Sequence, residues 1–323
     1  MPNERISRVE RYHLQNKKPK KRHGCLKFLL VVIVLLLAGG FWVYSKVKDS
    51  VDQTYENTSS EVDPHDSRKN KKISLKRGDA FSVLLLGVDT GEYGRVEKGR
   101  SDSMMLMTLN PKENQTVITS IPRDSLVPII GHGTEDKINH AYAFGGPAMS
   151  INTVQSFLDV PVDYYVAVNM AGIEQIVDAV NGITITPRTT FTQGDYTFYE
   201  GEKMHMNGSM ALEYSRMRKD DGDYARQQRQ REVVQAIMDR LISIDGITNY
   251  QSVLKTMENN VKTNMSFDEM IEVSLNYRKA AEHIENDQLQ GEGTMIDGIY
   301  YEVYSDEEIS RVSQAIKTQL NIE

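Results

Sequence analysis

Residues 80–87 read Ala-Phe-Ser-Val-Leu-Leu-Leu-Gly, a short apolar run that ends in glycine. An uninterrupted apolar run of this length is typical of a buried strand, and the glycine indicates that the strand's carboxyl end opens into a loop. The stretch therefore predicts a buried strand, from which the rest of the domain can be traced outward.

On the C-terminal side of this strand, strand and helix patterns alternate. Residues 103–110 and 115–121 are two further runs on either side of the turn-forming segment 110–114, which predicts a hairpin. The segments that follow are a helix at 149–158, a strand at 164–169, a helix at 172–180 that stops at Asn181-Gly182, and a strand at 183–186. This alternation predicts an α/β fold, a three-layer α-β-α sandwich around a mixed sheet, with a final helix in 305–323.

On the N-terminal side of the strand, residues 46–76 are polar and charged and contain almost no aliphatic run. Such a composition cannot bury a core. It predicts a stalk, followed by one domain over residues 77–323 that ends in a helical and strand extension.

Residues 28–45 form an apolar run without a charge. About 20 apolar residues span a bilayer, and Trp42 and Tyr44 suit the outer interface. A cleaved signal peptide is the alternative, but the run is long for one and no Ala-x-Ala type of cleavage site follows it. We therefore expect an uncleaved transmembrane signal-anchor helix.

The preceding tail, residues 1–27, contains nine basic and two acidic residues. The positive-inside rule places this tail in the cytoplasm and the remainder of the chain outside the cell. A nucleic-acid-binding arm is the alternative, but beside a transmembrane segment a basic tail is more typical of an orientation signal and a contact with anionic lipids. The sequence thus predicts a single-pass type II protein of the cell membrane that contacts the lipid bilayer and no nucleic acid.

Charge is divided unevenly along the chain. The tail carries about +7, and since the whole chain carries −7, about −14 belongs to the remainder. An acidic domain is a poor general binder of polyanions, so arginines that bind an anion must be concentrated in one place. The single cysteine, Cys25, lies at the inner membrane edge, so the external part cannot form an internal disulfide, and acylation of Cys25 is left open.

Four charged residues lie in the predicted loops at strand ends, namely Asp89, Arg100, Asp102 and Arg123. Open α/β sheets bind their ligands beyond the strand ends. The two carboxylates suit a Mg²⁺ ion that keeps several waters and takes its other ligands from phosphate oxygens. Because surface loops contain many aspartates, the spacing alone also fits a site without metal.

The stretch 214–231 is rich in arginine and reads Tyr-Ser-Arg-Met-Arg-Lys-Asp-Asp-Gly-Asp-Tyr-Ala-Arg-Gln-Gln-Arg-Gln-Arg. Guanidinium groups separated by carboxylates suit a multiply charged phosphate held in one orientation. In extended backbone, Arg216 and Arg218 would share one face. Asp223 and Arg226 lie near a predicted helix start, where backbone amides favour anions. A solvated helix face is the alternative for part of this stretch.

The chain resembles the LytR-CpsA-Psr family, bacterial membrane-anchored enzymes that transfer glycopolymers to the cell wall. Six ordered blocks carry the resemblance: Leu-Gly-Val-Asp at 86–89, Gly-Arg-Ser-Asp-Ser-Met-Met at 99–105, Ser-Ile-Pro-Arg-Asp-Ser at 120–125, Lys-Ile-Asn-His-Ala-Tyr-Ala-Phe-Gly-Gly at 137–146, Asp-Tyr-Tyr-Val at 163–166, and Ala-Leu-Glu-Tyr-Ser-Arg-Met-Arg at 211–218 continued by Asp-Tyr-Ala-Arg-Gln-Gln-Arg-Gln at 223–230. They cover most of the external part of the chain.

The resemblance implies a donor in which polyprenyl diphosphate carries an anionic glycopolymer, such as wall teichoic acid or capsule. It implies a peptidoglycan sugar hydroxyl as acceptor, release of polyprenyl phosphate, and a Gram-positive type of bacterium. No nucleotide is expected, because the energy resides in the diphosphate bond of the donor.

The resemblance also implies roles for individual residues. Asp89 and Asp102 match the family's Mg²⁺ carboxylates, and the diphosphate-binding positions correspond to Arg100, Arg123, Arg216, Arg218, Arg226 and Gln230. Asp223 matches a site acid that either orients Arg226 or deprotonates the acceptor. The residues expected to act in the transfer itself are Arg123, Arg216, Arg218, Asp223 and Arg226.

The family binds its lipid tail in an apolar tunnel. Flexible thioethers accommodate an irregular apolar chain, and the candidates for its lining are Met104, Met105, Met107, Phe144, Met149, Phe157 and Leu158. Packing of these side chains in the ordinary core is the alternative.

Three other functions fit parts of the sequence. The same site would suit hydrolysis of the lipid diphosphate, with water in place of the sugar. A wall-binding or lipid-binding protein without turnover is the second. The third is a non-catalytic, membrane-linked regulator or attenuator of cell-envelope genes, which is disfavoured because the tail lacks a helix-turn-helix pattern.

Overall fold

The computed structural model describes residues 54–58, 60–69, 72–89, 99–218, 222–243 and 260–322, all within the compact unit Val47–Glu323. The predicted cytoplasmic tail and transmembrane segment, and Cys25, lie outside the described residues. In the part of the chain that is described, no helix combines the length and apolar character needed to cross a membrane. The membrane topology stays a prediction.

The strands and helices that the sequence predicts are present, and the structure adds short strands that were not predicted. The strands are β1 (Phe81–Val88), β2 (Ser101–Asn110), β3 (Gln115–Ser120), β4 (Leu126–Ile129), β5 (Thr134–Lys137), β6 (Tyr164–Asn169), β7 (Ile183–Ile185), β8 (Phe191–Gln193), β9 (Tyr196–Phe198), β10 (Met204–Met206), β11 (Val261–Thr263), β12 (Ile284–Gln288), β13 (Glu292–Ile296) and β14 (Ile299–Val303). The helices are α1 (His140–Leu158), α2 (Met170–Ala179), α3 (Gly208–Arg216), α4 (Gly222–Ser243), α5 (Phe267–Asn276), α6 (Arg278–Ala281) and α7 (Asp306–Leu320).

The centre of the fold is a six-stranded mixed sheet with the strand order β11-β6-β1-β2-β3-β12. β1 pairs in parallel with β6 and antiparallel with β2, while β3 pairs in parallel with β12. β1 is apolar except for Ser82 because it lies inside the sheet and is covered on both faces. The predicted α/β fold with a central mixed sheet is confirmed.

Helices cover both faces of this sheet. Side chains alternate between the faces of a strand, and Leu84 and Leu86 of β1 pack in one core cluster with residues of α1 and α7. Phe81 and Val83 point to the other face and pack around Tyr277, between α5 and α6. A separate cluster joins the small strands β7 and β8 to helices α3 and α4.

Local chemistry explains several element boundaries. In the β2–β3 hairpin, Asn110 Oδ1 accepts hydrogen bonds from the backbone of Lys112 and Glu113, and Asn114 adopts a left-handed conformation with φ 52°. Helix α1 begins nine residues before the predicted 149–158 segment, but it contains a break at Gly146, with φ 67°, followed by Pro147. The predicted segment is the part that lies beyond this proline.

The described part of the predicted stalk is not detached from the domain. Tyr55 forms a bridge with Thr263 at the β11 edge of the sheet. Arg68 donates from Nε to Asp163 Oδ1 at 2.8 Å, and both side chains are largely buried. The composition of 46–76 predicted a stalk because it contains almost no aliphatic run. The segment nevertheless binds the domain through hydrogen bonds and ion pairs, and its Val62, Ile73 and Leu75 pack with the core clusters.

Candidate active site

The predicted site residues converge at the carboxyl end of β1, where the chain leaves the sheet. A cavity of about 440 Å³ opens there. The charged and amide side chains that line it are Asp89, Asp102, Gln193, Arg216, Arg218, Arg226 and Gln230. Two carboxylates and three guanidinium groups thus share one concave surface.

The two carboxylates come from neighbouring strands. Asp89 follows β1, and its backbone N–H donates to the carbonyl of Arg100 at 3.0 Å. Asp102 is the second residue of β2, one position inside the strand and not in the loop before it. Asp102 Oδ1 accepts a hydrogen bond from Asn139 Nδ2 at 3.1 Å and lies 3.2 Å from Arg123 Nη1. Both contacts are made by Oδ1 of Asp102.

Arg216 and Arg218 reach the cavity from the end of a helix. Arg216 is the last residue of α3, so the expectation that both arginines lie on one extended segment is wrong. Met217 ends the helix with φ −58° and ψ 132°, and its buried side chain fixes the backbone at this point. The helix ends at Arg216, and the extended Met217 separates it from Arg218. Both guanidinium groups still reach the same cavity.

Arg226 is the most deeply buried charge of the site. Its side chain is 2% exposed and forms an ion pair with Asp223 on the same face of α4. Burial lowers the pKa of the Arg226 guanidinium to about 10; Asp223 opposes this effect, and the charges of Arg123 and Arg218 add to it. Its Nε is buried without a hydrogen-bond partner among the described residues. A bound anion would supply the missing negative charge.

Arg218 is in a similar electrostatic position although it is more exposed. Burial lowers the pKa of its guanidinium, and the charge of Arg123 lowers it further. Arg123 differs, because three carboxylates outweigh the effect of burial and raise the pKa of its guanidinium; they belong to Asp102, Asp124 and Asp223.

Three of the predicted site residues do not line the cavity. Arg123 lies behind Asp102, with which it forms the ion pair described above. Asp223 pairs with Arg226, which does line the cavity. Arg100 is exposed, and the structure brings only its backbone to the site, through the hydrogen bond to Asp89. A direct role for the Arg100 side chain stays a prediction.

Gln230 connects the charged cavity to an apolar one. Its Oε1 accepts a hydrogen bond from Ser103 Oγ at 2.9 Å. Beyond this pair lies a second cavity of about 310 Å³, and both residues line the two cavities. The apolar residues of the second cavity include Leu85, Met105, Met107, Val233, Val234, Ile237, Met238 and Leu241.

The candidates for an apolar tunnel separate by strand face. Met105 and Met107 line the second cavity. Met104 points to the opposite face of β2 and belongs to the core cluster with α1, as does Leu158. Met149 and Phe157 pack against that same cluster, and Phe144 is exposed beside His132. For Met104, Met149, Phe157 and Leu158 the alternative of ordinary core packing is correct, whereas Phe144 belongs neither to the second cavity nor to the core.

Several residues of the site received no role from the sequence. Asp124 lies 2.7 Å from Lys137 Nζ and 3.4 Å from Arg123 Nε, so it links the two cations. Tyr224, next to Asp223, donates a hydrogen bond to the buried Glu302. Lys137 and Asn139 belong to the block 137–146, whose resemblance to the family could have indicated a role for them. No local sequence pattern indicates a role for Glu302.

Metal-binding clusters of three or more His, Cys, Asp or Glu side chains are absent from the described residues. The carboxylates on the cavity are two, Asp89 and Asp102. A pair of carboxylates fits a cation that takes its remaining ligands from water and from phosphate oxygens.

Comparison with known proteins relates the whole arrangement to one family. The sequence model of the LytR_cpsA_psr family matches residues 43–318. A relative from Enterococcus faecalis (strain ATCC 700802 / V583), named polyisoprenyl-teichoic acid–peptidoglycan teichoic acid transferase TagU, is 43% identical over 307 residues, which are 94% of this chain and 99% of the relative.

Solved structures agree with this comparison. The structure of TagT bound to LIIa-WTA is similar with a TM-score of 0.68 and 32% identity, over 80% of this chain and 97% of that one. A crystal structure from Enterococcus faecalis described as a transcriptional regulator has a TM-score of 0.71 and 39% identity, over 78% of this chain and 92% of that one.

Proposed function

The chain belongs to the LytR-CpsA-Psr family, and from this premise we propose that it transfers an anionic glycopolymer of the wall teichoic acid or capsule type. The donor is a polyprenyl-diphosphate carrier, and the acceptor is a sugar hydroxyl of peptidoglycan. The reaction releases polyprenyl phosphate. Relatives over nearly the whole chain are named teichoic acid transferases. A similar structure contains TagT with a bound wall teichoic acid compound.

One observation carries the proposal: a cavity lined by three arginines continues into an apolar cavity through Ser103 and Gln230. A polyprenyl diphosphate has these two parts, a doubly charged head and an apolar tail. The acidic character of the remainder of the chain makes the arginine cluster a focused anion site, not part of a basic surface.

The arginines have a defined role in the transfer. Arg216, Arg218 and Arg226 bind the diphosphate oxygens and stabilise the charge that develops on the leaving polyprenyl phosphate. Arg123 holds Asp102 in place from behind. The acceptor hydroxyl attacks the phosphorus that carries the glycopolymer, in line with the leaving oxygen.

Asp223 acts on Arg226. Its Oδ1 pairs with Arg226, and its Oδ2 accepts a hydrogen bond from Gln227 Nε2 at 2.8 Å. Because both oxygens have partners, we assign Asp223 to the orientation of Arg226 rather than to removal of the acceptor proton.

Mg²⁺ is part of the proposal. Asp89 and Asp102 line the cavity from adjacent strands, and two carboxylates on one cavity are a donor set that fits the ion. When bound, Mg²⁺ would neutralise part of the diphosphate charge.

The cellular setting rests on the sequence. Residues 28–45 anchor the protein in the membrane of a Gram-positive type of bacterium, with the catalytic domain outside the cell. Since the donor lipid is confined to the same membrane, the anchor keeps the site near its substrate.

The experiment is a transfer assay. The purified protein receives a synthetic polyprenyl-diphosphate glycopolymer and peptidoglycan oligomers, with and without Mg²⁺. Joined product from the wild type, but not from Arg218→Ala, supports the transferase, and full Mg²⁺-dependent activity of Asp89→Ala would refute the metal assignment. Release of polyprenyl phosphate without joined product would identify a hydrolase, and the absence of turnover with several donors would favour a binding protein.

A further inference from the structure

The β13–β14 hairpin presents an apolar surface to solvent. Met295 is 63% exposed, Ile299 49%, Tyr300 46% and Ile296 41%. Four of the nine exposed large apolar side chains of the described residues thus lie in one hairpin. Met295 and Tyr300 are cross-strand partners on one face of the hairpin, and Ile296 and Ile299 are partners on the other face. Each face therefore carries a pair of exposed apolar side chains, and such a pair indicates a contact surface.

Tyr300 is held in place on this surface. In the antiparallel register it lies opposite Met295, and Gly293 lies opposite Glu302. A Cβ atom at position 293 would lie 2.8 Å from the Tyr300 ring, so the ring rests against the backbone of the glycine. Residues two apart on a strand share a face, so Tyr300 and Glu302 point to the same side of the hairpin.

That side of the hairpin is joined to the candidate active site. Glu302 accepts the hydrogen bond of Tyr224, the neighbour of Asp223. The backbone N–H of Glu302 donates to the carbonyl of Asp124 at 2.9 Å. Burial raises the pKa of the Tyr300 hydroxyl, and so do the carboxylates of Glu302, Asp124 and Asp223.

Helix α4 orders the contacts of the site along its axis. Tyr224 in its first turn binds the hairpin, Arg226 and Gln230 line the charged cavity, and Ile237 lies in the apolar cavity. At 1.5 Å per residue, Tyr224 and Ile237 are about 20 Å apart along the helix. The hairpin and the apolar cavity therefore lie on opposite sides of the charged cavity.

This order decides which substrate meets the hairpin. In the proposed reaction the polyprenyl phosphate leaves toward the apolar cavity. An in-line displacement requires the attacking hydroxyl on the opposite side of the phosphorus, which is the side of the hairpin.

We propose that the Tyr300 and Met295 side chains form a stacking subsite for a pyranose ring of the acceptor glycan. The apolar C–H face of the sugar would pack on the Tyr300 ring, and the hydrogen bond between Tyr224 and Glu302 would fix the hairpin relative to the diphosphate. This inference rests on the proposed transferase function and adds a binding residue for the acceptor.

Contact with the bilayer is the competing use of an exposed apolar hairpin. The hairpin lies away from the cavity that fits a lipid tail, and Asp297 occupies its turn. Acidic residues at the tip of a hairpin are repelled by anionic lipid surfaces. A glycan is therefore the favoured occupant.

The test is a steady-state assay of the full chain in detergent, with the donor saturating and short peptidoglycan glycan oligomers as the varied acceptor. Tyr300→Ala is expected to raise the acceptor KM about tenfold, by loss of the aromatic contact, with the donor KM and kcat unchanged. Tyr300→Phe should keep the wild-type KM. Met295→Ser should raise KM by a smaller factor, and Tyr199→Ala, with an equally exposed ring outside the cavity lining, should change nothing.

The outcomes separate the two proposals. An unchanged acceptor KM in Tyr300→Ala and Met295→Ser, with an active wild type, overturns the acceptor subsite and leaves the transferase intact. A raised donor KM instead would assign the surface to the donor glycopolymer. Binding of the hairpin to vesicles of phosphatidylglycerol, lost in Tyr300→Ala, with an unchanged acceptor KM would assign it to the membrane. An inactive wild type refutes the proposed function itself.

Discussion

Arg218 and Arg226 line the same cavity, but they differ in burial and therefore in how much each contributes to the stability of the fold. Arg218 is exposed, whereas Arg226 is 2% exposed and bound to Asp223. The arginine-rich stretch predicted both as phosphate ligands from residue type alone. Sequence could not distinguish them, because the burial of Arg226 depends on the elements that pack against α4, and among these β3 and β7 are not its neighbours in the sequence.

We expect Arg218→Ala to lower kcat at least 100-fold, about the loss that follows removal of one group stabilising transition-state charge. Its free energy of unfolding should stay within about 0.5 kcal/mol of the wild type, because an exposed side chain contributes little to stability. Parallel kinetic and urea-unfolding measurements check both parts. Unfolding of the variant would mean that the role of Arg218 is structural.

Arg226→Ala should impair both properties. It removes the same kind of phosphate contact and also leaves the half-buried Asp223 without its partner, at a cost of about 1 to 3 kcal/mol. Chemical denaturation of this variant beside Arg218→Ala provides the comparison. Equal stability of the two variants would contradict the importance of the buried ion pair.

At the scale of elements, the sequence predicted the strands better than it predicted which face each side chain takes. The strand at 164–169 is correct at both ends, and β2 and β3 form the predicted hairpin. Of the methionines that were candidates for the tunnel, Met104 packs in the core, which is the alternative that the sequence left open, while Met105 and Met107 line the apolar cavity. An unbroken apolar strand carries no alternation from which its two faces could be told apart.

The two faces of β2 should respond differently to substitution. Met107→Trp fills the apolar cavity and should raise the KM for long-chain polyprenyl donors, while a short-chain analogue keeps its wild-type KM. Met104→Ala should leave both KM values unchanged and destabilise the domain by about 2 to 5 kcal/mol, as core truncations do. The test measures, for both variants, the KM for donors of different polyprenyl chain length and the temperature of thermal unfolding. Equal effects of Met107→Trp on both donors would argue against a tail site.

For the whole molecule, the segment before β1 belongs to the folded unit. Its polar composition led to the expectation of a stalk, since a sequence read locally shows no partner for Arg68. That partner, Asp163, lies 95 residues away, and its carboxylate also accepts hydrogen bonds from the backbone and hydroxyl of Ser82.

Arg68→Ala should therefore destabilise the whole domain. Removal of one partner of a largely buried ion pair costs about 3 kcal/mol or more, because the remaining charge is left uncompensated. Lys69→Ala is the matched control, since its ion pair with Asp66 is exposed and should contribute nothing measurable. The test compares the urea concentration at half-unfolding for the two variants, provided that the m value is unchanged. Equal concentrations for the two variants would show that the segment is dispensable.

Mutual repulsion within the arginine cluster gives a second property of the whole molecule. The neighbouring cations help to lower the pKa values of Arg218 and Arg226. A bound anion should therefore reduce the repulsion among the guanidinium groups and stabilise the native state. Inorganic pyrophosphate at 100 times its Kd should stabilise the protein by about 2.7 kcal/mol. Thermal shift assays should show this rise for the wild type and a smaller one for Arg218→Ala, with sodium chloride of equal ionic strength as control. Equal shifts with both salts would contradict an anion site.

Helix α4 contacts the hairpin, the charged cavity and the apolar cavity. Because one rigid helix makes all three contacts, residues cannot be inserted into it or deleted from it without loss of one of them. Each residue inserted into an α-helix rotates everything beyond it by about 100°. A single insertion between Arg226 and Val233 would turn the apolar residues away from β1 and β2 without altering any side chain. Related chains should therefore vary freely in amino-acid type along the outer side of this helix, yet keep the number of residues between these two positions constant, with gaps in their alignments confined to the connections on either side.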